Sequence, residues 1–190
     1  WTKEAHQRLP YSVDTAKKLL AEAGYPNGFS FTLDCPNNRY INDEDICKAV
    51  VSMWARIGLK VNLNAMPRAT YFAKIQKYDT SAYLLGWGVP TFDALYSLQS
   101  LAMTVGKEGD GNFNLGRVSN PEFDKLVTAM KSEVDVKKRN DTIARALMLH
   151  NQQVMHLPLH NQVIPWAMRK NVTVVHRADN RLEASWVRID

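Results

Sequence analysis

The chain has 190 residues, 45% apolar and 23% charged, a composition that excludes a disordered polypeptide and suits an ordinary globular domain. Its net charge of +5 is spread over short clusters such as Lys17-Lys18, Lys137-Lys138-Arg139 and Arg169-Lys170, so no long basic run marks a nucleic-acid-binding tract. The least polar stretch, residues 80–105, is broken by Gly86, Gly88, Pro90 and Asp93 and makes a poor membrane span. Trp1 to Pro10 lack the basic, apolar and small-residue segments of a signal peptide, which is the expectation for a mature chain, a cytosolic one or a fragment.

In chain order, Asp14 opens a helix over residues 14–23 with Ala16, Leu19, Leu20 and Ala23 at helical spacing, and Gly24 ends it. The turn Pro26-Asn27-Gly28 leads into a half-buried strand over residues 29–33. Asn42 or Asp43 starts the next helix, whose apolar face is read as Ile46, Val50, Met53, Trp54 and Ile57, with Gly58 as its stop. Residues 59–65 alternate as a strand, a short helix covers residues 71–75, and the uncharged run 81–87 reads as another strand. Helices are expected over residues 94–101, from Asn120-Pro121 onward with Phe123, Leu126, Val127 and Met130 apolar, and over residues 136–154. Strand-like pieces follow at residues 157–162, 164–168 and 186–189. This alternation predicts one α/β lobe spanning residues 1–190, a mixed β-sheet flanked by helices.

Catalytic signatures are missing. The glycines of residues 106–111 lack the Gly-Lys-Ser/Thr end of a phosphate-binding loop, no nucleophile elbow or zinc-protease motif occurs, and neither cysteine has a nearby histidine. Cys35 and Cys47 are either one disulfide or two buried thiols. His150, His156 and His160 are close in sequence but straddle a helix end and have no acidic or thiol companion, so hydrogen-bonded histidines are expected there and no metal site.

Three positions carry the ligand-binding expectation. Gly86-Trp87-Gly88 ends an apolar strand, the place where open α/β sheets bind ligands, and its glycines let a solute approach the indole; the alternative is a tryptophan packed in the core. Asp93 either contacts the ligand or caps the helix that follows. Arg39, in the polar turn Pro36-Asn37-Asn38-Arg39-Tyr40, either grips a carboxylate or is a solvated side chain. The loop of residues 106–116, rich in glycine and asparagine, is a further functional candidate.

Residues 11–29, including Asp14-Thr15-Ala16 and Gly24-Tyr25-Pro26-Asn27-Gly28-Phe29, then Trp54-Ala55-Arg56-Ile57-Gly58-Leu59-Lys60-Val61, Leu85-Gly86-Trp87, Asn120-Pro121-Glu122-Phe123-Asp124-Lys125-Leu126, the helix with Asp135, Lys138 and Arg139, and Pro158-Leu159 stand in a familiar order. In these stretches the chain resembles the carboxyl-terminal lobe of the dipeptide and oligopeptide class of extracellular solute-binding proteins. The resemblance implies a periplasmic-binding-protein-like lobe, with no reaction and no cofactor of its own. It also implies a periplasmic or lipid-anchored location, and as partners a peptide-like or anionic solute, an ABC permease and the first lobe of the same protein, absent from this chain. By the same resemblance Arg39 matches a carboxylate-binding arginine and Trp87 a cavity-lining tryptophan. Peptide binders of the class carry an aspartate three residues after that tryptophan, to pair with the ligand's ammonium. Here Pro90 stands at that position, so either Asp93 substitutes or the ligand lacks a free amine there. The alternative function, a basic α/β module for nucleic acid or another anionic macromolecule, rests on the net charge alone.

Overall fold

A computed structural model describes residue 4 and residues 7–190, so the reading of Trp1 to Pro10 falls partly outside the described residues. The chain divides into two compact units, one ending at Leu157 and the other Pro158–Asp190.

The first unit is α/β. Helix α1 (Val13–Glu22) is capped by Ser12, whose side chain accepts the Thr15 N–H, while Asp14, the cap expected from sequence, sits in the first turn and complements the helix dipole. The helix stops in a Schellman turn: Gly24 takes φ +91° and the Tyr25 N–H reaches back to the Leu20 carbonyl at 2.8 Å. Strand β1 (Ser30–Pro36) ends three residues later than its alternation indicated, because its second half is buried on both faces and no longer alternates. Helix α2 (Asp43–Ala55) and strand β2 (Lys60–Met66) follow, then α3 (Arg68–Ile75) and β3 (Ala82–Tyr83). The sheet order is β2-β1-β3 with every strand parallel; Ser30 pairs with Lys60 through to Pro36 with Met66, and Leu33 pairs with Ala82. This topology puts the carboxyl ends of β1 and β3 side by side.

Two expectations are corrected here. The core face of α2 is Cys47, Val50, Val51 and Trp54, packed with Leu33 and Cys35 of β1, whereas Met53 is 58% exposed. Cys47 is bonded to Cys35, and the buried stripe Cys47-Val50-Val51-Trp54 keeps the three- and four-residue helical spacing on a face that leaves Met53 outside. The run 81–87 pairs only at Ala82–Tyr83, and directly after it the Leu84 carbonyl is taken by the Tyr71 hydroxyl.

Helices α4 (Ala94–Leu101), α5 (Pro121–Ser132) and α6 (Val136–Gln152) enclose a separate apolar cluster. Phe123, Leu126, Val127 and Met130, three and four residues apart on α5, are all buried in it. Asn120 caps α5 and Asp135 caps α6, each through a side-chain oxygen that accepts backbone N–H groups. The loop of residues 106–116 is held from within by buried Asn114, whose amide donates to the Met103 and Val118 carbonyls and accepts the Val118 N–H.

In the second unit the strands expected at residues 157–162 and 164–168 do not form. Pro158 and Pro165 have no N–H for a ladder, and Leu159, Val163 and Ile164 remain exposed. The unit's ladder pairs β4 (Val172–Thr173) with β5 (Arg188–Ile189), antiparallel, after a 3-10 turn at Ala184–Trp186. Among the described residues no helix is long and apolar enough to cross a membrane.

Candidate ligand-binding site

The turn after β1 is built by one carboxylate. Asp43, buried at the start of α2, accepts the N–H groups of Arg39 at 2.9 Å and Tyr40 at 3.0 Å through one oxygen and that of Glu44 at 3.0 Å through the other. The disulfide between Cys35 and Cys47 closes the same segment from outside. Of the two states left open for the cysteines, the bonded one is present. The backbone beneath Arg39 is thus fixed while its side chain stays exposed, the guanidinium lying 4.9 Å from the centre of the Tyr40 ring. Arg68, at the start of α3, is tied to the same turn by its backbone N–H, which donates to Asn38 Oδ1 at 2.7 Å.

Tyr40 joins this turn to the tryptophan loop. Its hydroxyl donates to the Gly86 carbonyl at 3.4 Å, and a Cβ placed on Gly86 would lie 2.6 Å from the Tyr40 ring. Gly86 is therefore glycine because an aromatic ring occupies the place of its side chain. Gly88 faces open space within 4 Å. Upstream, the buried Tyr71 hydroxyl donates to the Leu84 carbonyl and orients the chain as it leaves β3; burial pushes this phenol well above its ordinary pKa.

Trp87 is half-buried between two rings. It stacks on Tyr96 of α4 at 5.3 Å and 24°, and meets Phe113 edge-on at 5.0 Å and 61°. Its indole N–H is buried without a hydrogen-bond partner. Sequence patterning singles out the 106–116 loop but neither Phe113 within it nor Tyr40 and Tyr96. Their only signal is aromatic identity, Phe113 and Tyr40 within such segments and Tyr96 in the helix after Asp93.

Asp93 is committed to protein groups. Its oxygens receive Arg139 Nη1 at 2.8 Å and Nη2 at 2.9 Å, a two-pronged pair, and one also accepts the Leu95 N–H at 2.8 Å. Arg139 holds this carboxyl below the usual range, against the opposing effect of partial burial. The residue caps α4 and ties it to α6. Tyr40 thus links the turn of Arg39 to Gly86, the residue before Trp87, whereas Asp93 caps α4 and pairs with Arg139.

Elsewhere, His150 Nε2 and His156 Nδ1 lie 2.9 Å apart with their rings within 9° of parallel, and His160 belongs to the other unit. Among the described residues no three metal-ligating side chains converge. A shallow hollow lined by Ser30, Phe31, Thr32, Lys60, Val61 and Asn62 lies at the amino ends of β1 and β2, away from this site.

Residues 1–109 match the family of bacterial extracellular solute-binding proteins, family 5 middle. Heme-binding protein A of Haemophilus influenzae is 29% identical over 160 residues, 83% of this chain and 29% of that protein. Glutathione-binding protein GsiB of Pectobacterium atrosepticum is 29% identical over 136 residues, 68% of this chain and 26% of that one. The dipeptide binding protein from Pseudoalteromonas sp. SM9913 in complex with Met-Leu superposes with a TM-score of 0.74 at 22% identity, covering 100% of this chain and 38% of that one. The chain spans less than a third of the length of these two curated relatives.

Proposed function

The chain belongs to the bacterial extracellular solute-binding proteins of family 5, and from that premise we propose that it is the carboxyl-terminal lobe of a receptor that captures a small peptide-like solute and passes it to an ABC permease. Residues 1–190 supply this lobe, and the first lobe is a separate part of the same longer protein. The relatives named for heme and glutathione, and the structure holding Met-Leu, make a binding role without chemistry the natural reading. A Cys35–Cys47 disulfide suits an oxidising, extracytoplasmic setting, periplasmic or lipid-anchored.

The observation that carries the proposal is the meeting of Arg39 with the Gly86-Trp87-Gly88 loop, through Tyr40, at the adjoining carboxyl ends of two parallel strands. A guanidinium carried on a fixed turn beside an aromatic face fits a solute with a carboxylate and an apolar body. Two-lobed receptors close around their solute by hinge motion, so binding should bury Trp87 further. The nucleic-acid alternative draws on net charge alone, and no residue of this site favours it.

Titrating the intact protein with a peptide library while following tryptophan emission tests the reading. Emission should change on binding, the change should be lost in Trp87→Phe, and affinity should fall in Arg39→Ala. A response that persists unaltered in both variants would place the site elsewhere.

A further inference from the structure

Taking residues 1–190 as one part of a longer receptor, we infer that the apolar stripe of α1 and the amino-end side of the sheet form a permanent interface with another part of that same protein. Three observations on different elements converge there.

Helix α1 is 10 residues long and none of them is buried. A helix shorter than about 12–15 residues is marginal in water by itself and takes its stability from packing. The apolar stripe of α1 is only half covered. Val13, Ala16 and Leu20 are half-buried, whereas Leu19, beside them on the stripe, is 58% exposed.

The chain that leaves α1 carries a second apolar surface. Tyr25 and Phe29, 49% and 40% exposed, have ring centres 4.9 Å apart. Phe29 meets Phe31 at 5.5 Å, and Phe31 meets Trp54 of α2 at 5.4 Å. A continuous row of rings open to water at one end marks an interaction surface, which scattered exposed side chains do not. Phe31 also lines the hollow over the amino ends of β1 and β2, together with Val61.

Strand β2 supplies the third observation. It pairs with β1 along its whole length, and among the described residues no strand pairs with its other edge. An open edge presents a row of backbone donors and acceptors that proteins cover or blunt. An extended apolar segment fits this place, since its backbone would satisfy the edge of β2 and its side chains would meet the aromatic row.

The cover is intramolecular because α1 needs it before the receptor meets any transient partner such as a permease. The matched relatives have room for it, for this chain spans less than a third of their length.

Thiol labelling of the intact receptor, with the Cys35–Cys47 disulfide kept oxidised, tests this. Leu19→Cys and Phe29→Cys probe the face from two elements, and Lys17→Cys, on the opposite side of α1 from Leu19, is the control. In the folded receptor the first two should react with a maleimide at least tenfold more slowly than the control, and in urea all three should react at one rate. Equal rates in the folded receptor would overturn the inference. A photoreactive benzoylphenylalanine at position 29 then identifies the cover. The expected adduct joins it to a peptide of the same molecule outside residues 1–190. A cross-linked dimer, an adduct within residues 1–190, or no adduct at all would overturn the inference. Neither readout involves a solute, so a failure here is distinct from a failure of the solute site.

Discussion

The ring of Tyr40 lies where a side chain on Gly86 would be, and its hydroxyl donates to the Gly86 carbonyl at 3.4 Å. The turn that presents Arg39 and the loop that presents Trp87 are therefore joined through one side chain. Gly86→Ala puts a methyl 2.6 Å from that ring, so the ring must shift, costing about 1–3 kcal/mol as overpacking does. Gly88→Ala, with open space around it, should cost under about 0.5 kcal/mol. Urea denaturation of both variants checks the contrast, and equal losses would refute the steric account.

The disulfide makes a second prediction. Cys35 and Cys47 are 12 residues apart, and closing a loop of that size removes about 3 kcal/mol of chain entropy from the unfolded state. Reduction, or the double change Cys35→Ser and Cys47→Ser, should lower stability by about that much. Because Asp43 still holds the Arg39 and Tyr40 N–H groups, the turn should persist and affinity should fall by less than tenfold. A complete loss of binding with the fold intact would mean that the disulfide, and not Asp43, shapes the turn.

These two hooks mark what can be read from sequence and what cannot. Helical spacing locates α5 and its buried face because four apolar side chains repeat at three and four residues there, and caps such as Asn120 and Asp135 act locally. Asp43 is visible only as a helix start; its reach back to Arg39 depends on Asn42 turning through φ 57°. Val51, packed beside the Cys35–Cys47 bond, and exposed Met53 are both apolar residues of α2 that spacing does not tell apart. Residues 157–168 have the composition of strands, but Pro158 and Pro165 lack the N–H groups that a ladder needs. Trp87 stands out by its glycines, whereas Phe113 and Tyr96 need the third dimension.

Asp93 yields a third prediction, which separates support from contact. Asp93→Asn keeps the cap on α4 but replaces a charge-assisted, two-pronged pair with Arg139, a loss of about 1 kcal/mol for groups this exposed. Arg139→Gln should cost a similar amount, and the double variant little more than either alone. Ligands with and without an amine should weaken equally. Selective loss of amine-bearing ligands in Asp93→Asn would instead give Asp93 a direct role with the solute.

The last prediction concerns pH. His150 and His156 share one hydrogen bond at 2.9 Å between ring nitrogens, which requires at least one of the two rings to be neutral. Burial lowers both, and with the neighbouring His150 it brings His156 to about 4. A histidine at about 6.5 when unfolded and about 4 when folded takes up its proton first in the unfolded chain. Unfolding then binds protons between those values, so stability is full above pH 6.5, falls as pH drops through that window and levels off below pH 4. Between pH 7 and pH 5 the loss should be about 2 kcal/mol. The partnered carboxylates Asp93 and Asp110, whose folded pKa values are depressed, contribute their own loss only at lower pH. Urea denaturation at the two pH values should show this slope in the unaltered protein and little of it in the double variant His150→Gln and His156→Gln, because glutamine has no proton to take up. An identical slope in that variant would assign the pH dependence to other groups and leave the buried pair as a structural contact at the end of α6.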